Sequence, residues 1–188
     1  MHIRMRDLLD SDVLAGALTG RKALGALLER IEREPEEPEP VYLDFAGVEV
    51  ATASFLRESV LDFRDIVRRR WTNCYPVVAN ANDTIAEELS VLLEPQRDVL
   101  MLCTLNKDGV PCASRLLGEL EPKQRITFEL VRKLGEADAG ELMRTANGSE
   151  GVGQTAWNNR LASLSRRGLL METSHGRAKR YRPLPLEG

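Results

Sequence analysis

Asn158, Asn159, Arg160, Arg166 and Arg167 lie within one short stretch of the chain, GQTAWNNRLASLSRRGLL. Their amides and guanidinium groups carry paired hydrogen-bonding atoms that match the edges of adenine and guanine. The chemistry they offer is recognition by hydrogen bonding rather than bond making. Spacing decides which of them act together. At about 100° per residue, Trp157, Leu161 and Leu164 fall at i, i+4 and i+7 and form one apolar stripe, which must face a core. The opposite side carries Thr155, Asn159, Ala162, Ser163 and Arg166, with Asn158 on one flank and Ala156 and Arg160 on the other. A merely solubilising face is rich in Glu and Lys, whereas no acid interrupts this one.

The elements around this helix give it a setting. Gly168 is a C-cap, Leu169 and Leu170 open a strand, His175-Gly176 makes a tight turn, and Arg177, Lys179, Arg180 and Arg182 return from it. Upstream, ITFELVRKL and ADAGELMRTA read as two short amphipathic helices. From Val152 to Leu186 there are seven Lys or Arg against the single acid Glu172, in a chain of net charge −3. A cationic end on an otherwise acidic chain points to a polyanionic partner.

The region from Pro122 to Leu184 resembles the winged helix-turn-helix family of bacterial regulators, whose third helix commonly ends as Leu164-Ser165-Arg166-Arg167-Gly168-Leu169 does here. The resemblance implies that the third helix enters the major groove of double-stranded DNA and that the wing reaches the backbone or minor groove. Asn158, Asn159, Ala156 and Ser163 then read base edges, and Thr155 caps the helix or holds a phosphate. Arg160, Arg166 and Arg167 anchor the backbone, and Arg177, Lys179 and Arg180 add salt-dependent affinity. His175 at the wing tip meets a phosphate or the minor groove, or is simply an exposed turn residue. Trp157 is expected in the core. Winged helices also dock proteins. RNA is a third possibility, but the aromatic platform of single-strand readers is missing.

The N-terminal part reads differently. After the acidic, Pro-punctuated EREPEEPEP, VYLDF alternates as a buried strand and ASFLRESVLDFRDIVRR follows as an amphipathic helix. CYPVVAN, DTIAEELSVLL and DVLMLCTL continue as strand, helix and strand; before the connector HIRMRDLL is a possible strand and GRKALGALLERIER a helix. NKDG joins VLMLCTL to VPCASRLLG as a two-stranded ribbon. Alternating elements predict an α/β layer.

Around VYLDFAGVEVATASFLRESV the chain resembles STAS-like domains, the class of sulfate transporters and anti-sigma-factor antagonists, over roughly Met1 to Leu105. In that class an aspartate-bearing strand and a helix opening with small hydroxyl residues form a regulatory corner, here Asp44 and Thr52-Ala53-Ser54-Phe55. Some relatives accept a phosphate there, which implies Thr52 or Ser54 as acceptors, since helix amides hold an anion. The aligned acceptor position is Ala53, however, so the domain is expected to serve docking or dimerisation, with Ser54 as an N-cap.

The predicted organisation is therefore α/β: a STAS-like domain over 1–118 followed by a winged helix domain over 119–188. Cys74, Cys103 and Cys112 lack CxxC spacing and are expected as reduced, buried thiols, the alternative being a redox pair between Cys103 and Cys112. His2 and His175 are the only histidines, which argues against a metal site or a catalytic triad. GxGxxG, GxxxxGK[ST] and GxSxG are absent, and Glu87-Glu88 are expected on solvent-facing helix sides. No catalytic residue, metal or cofactor is expected, and no apolar run suits a membrane or signal peptide. The expected protein is a cytoplasmic, homodimeric, DNA-binding regulator, dimerising through the STAS-like domain or the first winged-domain helix. A protein partner is expected at the STAS-like domain. The alternative is a partner-switching STAS protein that binds a histidine-kinase-like ATPase or an anti-sigma factor.

Overall fold

A computed structural model describes residues 1–146, 153–176 and 178–184, with only the backbone of His175. The chain divides into two compact units, residues 1–119 and residues 120–184.

The first unit runs β1 (His2–Arg4), α1 (Met5–Leu9), β2 (Val13–Leu14), α2 (Ala17–Glu29), β3 (Glu39–Asp44), β4 (Val50–Ala51), α3 (Ala53–Leu56), α4 (Asp62–Arg70), β5 (Cys74–Ala79), α5 (Asp83–Leu93), β6 (Val99–Leu105) and β7 (Pro111–Gly118). A π-helical turn, Arg57–Leu61, joins α3 to α4. The main sheet has the order β1-β3-β5-β6-β7. Its first four strands are parallel, and β7 is antiparallel to β6. Each crossover steps the same way along the sheet, and right-handed crossovers then place every helix on one face. The core agrees: Ile3, Val41, Leu43, Val78, Leu100 and Leu102, all of one strand parity, pack with Leu27, Phe55, Phe63, Val67, Ile85 and Leu89. The other parity puts Asp44 beside Ala79 and Ala79 beside Cys103 on the opposite face.

Two local details differ from the sequence reading. The first strand stops at Arg4, where Met5, fully buried, begins a helix. The NKDG hairpin is not a separate ribbon, because β6 is an inner strand and β7 extends its sheet. Asn106 Oδ1 accepts from the N–H groups of Asp108 and Val110, and Gly109 takes φ 76, which closes the turn. Short β4 pairs in parallel with β2, away from the main sheet. At Gly20 a Cβ would come 2.7 Å from the carbonyl oxygen of Phe55, so α2 and α3 approach this closely only with glycine there.

The second unit has α6 (Pro122–Leu134), α7 (Ala139–Thr145), α8 (Gln154–Arg166) and an antiparallel hairpin of β8 (Leu170–His175) and β9 (Ala178–Pro183). Phe128, Val131, Leu142, Trp157, Leu161, Leu164 and Tyr181 are buried. An Asp138–Glu141 capping box starts α7. Gly168 ends α8 at φ 74: its N–H donates to Ser165 and that of Leu169 to Leu164, the paired bonds of a Schellman turn.

Candidate functional site

Two turns of apolar spacing orient α8. With Trp157 1% exposed and Leu161 and Leu164 fully buried, the side opposite them is open. Thr155, Asn158, Asn159 and Arg166 are exposed, and Ala156, Arg160, Ser163 and Arg167 are partly exposed. The side chains of Asn158 and Asn159 make no hydrogen bond to another described residue, so their amides face outward uncommitted. The Arg160 guanidinium stacks over the Trp157 ring at 4.8 Å. Ser163 and Arg167 belong to a different environment. Gln124 of α6 donates to Ser163 Oγ at 3.1 Å and accepts from Arg167 Nη1 at 2.9 Å, which turns both toward α6. The eight sequence-predicted residues of this helix therefore split, with the outward groups in its first half and at Arg166.

In the hairpin Lys179 and Arg180 have acidic neighbours, whereas the buried Nε of Arg182 has no hydrogen-bond partner among the described residues. Lys179 Nζ lies 2.6 Å from Glu172 across the two strands. Arg180 is held by three carboxylates around the start of α7, at 2.8 Å from Glu136, 3.2 Å from Glu141 and 3.8 Å from Asp138. The hydrogen bond to Glu136 leads the interactions that hold its guanidinium above the ordinary arginine range. The backbone of His175 pairs with Ala178 beside the turn, while its side chain and the whole of Arg177 lie outside the described residues.

The corner of the first unit is built from residues that satisfy one another. Thr52, extended at φ −75, is the N-cap of α3: its Oγ1 accepts from the N–H of Phe55 at 3.4 Å and of Gly16 at 3.1 Å. Ser54 is not the cap; its Oγ sits 3.2 Å from that of Thr52. Glu88 of α5 is partly buried rather than solvent-facing, and its Oε2 accepts from Ala53 N–H at 3.0 Å. A carboxylate thus already occupies the positive end of the helix. Asp44, 4% exposed, accepts from Ala46 N–H at 2.9 Å and from Asn80 Nδ2 at 2.7 Å, and lies 2.6 Å from His2 Nε2. Asn80, at φ 53, also accepts from Leu105 N–H, so one side chain ties the ends of β3, β5 and β6.

The thiols differ from one another. Cys74 and Cys103 are buried and Cys112 is exposed. Burial first, then the charge of Asp44, pushes Cys103 up to about 12, and burial pushes Cys74 to about 11. Both are protonated and unreactive at neutral pH. The register sets Cys103 opposite Ser114, not Cys112, and all three are free. Burial first, then the charge of Cys103, also raises Tyr42 to about 12. Among the described residues no group of three His, Cys, Asp or Glu can hold a metal ion, and no helix is long and apolar enough to cross a membrane.

Gln124, Glu88 and the Glu136, Asp138 and Glu141 cluster escaped the sequence reading because each acts on a residue at least 35 positions away. Gln124 and Glu88 gave only the signal of an amphipathic helix and Asp138 and Glu141 only that of a capping box, while Glu136 lies between α6 and α7.

Comparison with known families adds one finding. Residues 26–69, from the last turn of α2 through β3 to α4, match the model of a STAS-like domain of unknown function (DUF4325). No curated protein matches the chain.

Proposed function

We propose that this chain is a sequence-specific, DNA-binding transcriptional regulator without enzymatic activity. In this reading residues 120–184 form a winged helix domain, and the STAS-like unit takes a signal or docks a protein. The observation that carries the reading is the acid-free outer side of α8, where Asn158 and Asn159 present unpaired amides beside Thr155, Arg160 and Arg166. Three helices followed by a hairpin suit the insertion of such a helix into the major groove, with its N-terminal residues at the base edges. Asn159 and Asn158 then read adenine, and Thr155, Arg160 and Arg166 contact phosphates. Ser163 and Arg167, tied to Gln124, support the helix. Lys179 and Arg180 add affinity only as far as phosphates draw them from their carboxylates.

That last condition favours a second reading, since cations already neutralised contribute little to binding a polyanion. In it the chain is a partner-switching protein that binds a histidine-kinase-like ATPase or an anti-sigma factor, and the winged unit docks protein. Fluorescence anisotropy separates the two. The protein is titrated against duplex DNA from upstream of its own gene and against a scrambled duplex, across a salt series. Tight binding to the first duplex that weakens steeply with salt is expected. Equal weak binding to both, or none, overturns the reading.

A further inference from the structure

We propose that the first unit binds a small organic monocarboxylate in a recess on the helix side of its sheet, over β6 and β7. Connectivity leaves that place open. Each parallel crossover lays helix over the sheet, whereas β6 turns directly into β7 through residues 106–110 and brings none. The helix-side residues of the last two strands show the result. Leu102 of β6 is buried in the core, but Thr104 two residues on, and Ala113 and Arg115 across from the pair on β7, are exposed. Together with Ala81, just ahead of α5, these four line a cavity of about 120 Å³. It lies at the carboxyl ends of β5 and β6, where open α/β sheets take their ligands.

The recess is formed before any ligand arrives. The Asn80 N–H donates to the Cys103 carbonyl and its Oδ1 accepts from the Leu105 N–H, which fixes the end of β6 to the segment carrying Ala81. On the other side of Ala81, Asn82 caps α5 and donates to the carbonyls of Val48 and Glu49.

The lining selects the occupant. Arg115 is the only charged side chain among the described residues around the cavity, and it forms no ion pair with a described residue. Its planar guanidinium offers the paired donors that match a carboxylate, and the Thr104 hydroxyl stands on the same side of the sheet. Leu102, Ala81 and Ala113 leave apolar carbon for the rest of the ligand. A space of this size holds on the order of ten water-sized groups, which suits a short aliphatic acid and is too small for a nucleotide. A second carboxylate would be left against carbon without a donor, and an amine would meet the like charge of Arg115. If the Proposed function holds, such an acid is the signal that the STAS-like unit takes. The binding itself does not depend on that reading.

Titration of the full chain with butyrate at constant ionic strength, its backbone amides followed by NMR, tests the proposal. Saturable shifts at Ala81, Leu102, Thr104 and Ala113 are expected, with a Kd of about 1 mM, the strength open to so small a ligand. Butylamine should give none, and inorganic phosphate should bind at least about tenfold more weakly than butyrate. Arg115→Gln, which removes the charge, and Ala113→Leu, which fills the recess, should each weaken butyrate about tenfold or more. Both positions are exposed, so both variants are expected to fold, as circular dichroism checks; should one fail, the other decides. No saturable shift with butyrate overturns the proposal. So does butyrate binding that either folded variant leaves unchanged, or phosphate binding as strong as that of butyrate, the mark of an exposed arginine attracting any anion. Anisotropy on DNA is a separate measurement, so a chain that binds butyrate but no DNA defeats the DNA reading and leaves this one standing.

Discussion

The corner around Thr52 and the outer side of α8 are both made of small polar side chains, yet they hold them in opposite states. At the corner every polar group has a partner within the fold: Thr52 caps α3, Glu88 meets Ala53, and Asp44 gathers Ala46, Asn80 and His2. On α8, Asn158 and Asn159 have none among the described residues. A saturated cluster contributes to stability and must be broken before it can bind anything. An unsaturated one contributes little to folding and keeps its hydrogen bonds for a partner. The difference separates residues that build the molecule from residues available for its work.

The sharpest way to break the comparison is Asp44→Ala. Removing a buried carboxylate leaves the Ala46 N–H and the Asn80 amide unpaired, and should lower unfolding free energy by about 3 kcal/mol in urea titration. A loss below about 0.5 kcal/mol would mean that the corner is not saturated in the sense argued. Asn159→Ala sharpens the other side. Stability should stay within about 0.5 kcal/mol while discrimination between cognate and scrambled duplex falls by about 1–3 kcal/mol. Unchanged discrimination would remove Asn159 from the reading face. Thr52→Ala should cost about 1 kcal/mol, the worth of an N-cap, read as a shift in thermal midpoint.

The smallest effect is one of pH. Hydrogen bonds from the Asn73 backbone and the Thr72 side chain hold the Glu34 carboxyl below its usual range. A depressed folded pKa gives stability that is complete above the unfolded value and disappears as pH falls through the folded one. Glu34→Gln should therefore separate from the wild type at about pH 7 and converge with it by about pH 3. Parallel curves would show that the bonds do not favour the charged form.

Much of the architecture was legible because local pattern carried it. The alternation of VYLDF and the i, i+4, i+7 spacing of Trp157, Leu161 and Leu164 depend only on which side faces the core, and both buried as read. What was not legible depends on neighbours distant in sequence. Glu88 looked solvent-facing because helical periodicity cannot show that another helix start lies across from it. Ser163 and Arg167 looked like part of the outer side until Gln124 claimed them from α6. The cap at Thr52 was missed by two residues because either hydroxyl suits the role, and backbone dihedrals decide between them.

The strand order β1-β3-β5-β6-β7 has a consequence for how the first unit is assembled. No strand has to be threaded between two already in place, so a chain emerging from its N-terminus can add each new strand to the last open edge. Closure entropy is met in instalments, one crossover at a time, and the hairpin that adds β7 involves the shortest loop of all. The sheet can thus grow in the order in which it is synthesised, and its antiparallel last strand comes from the most local and least demanding step.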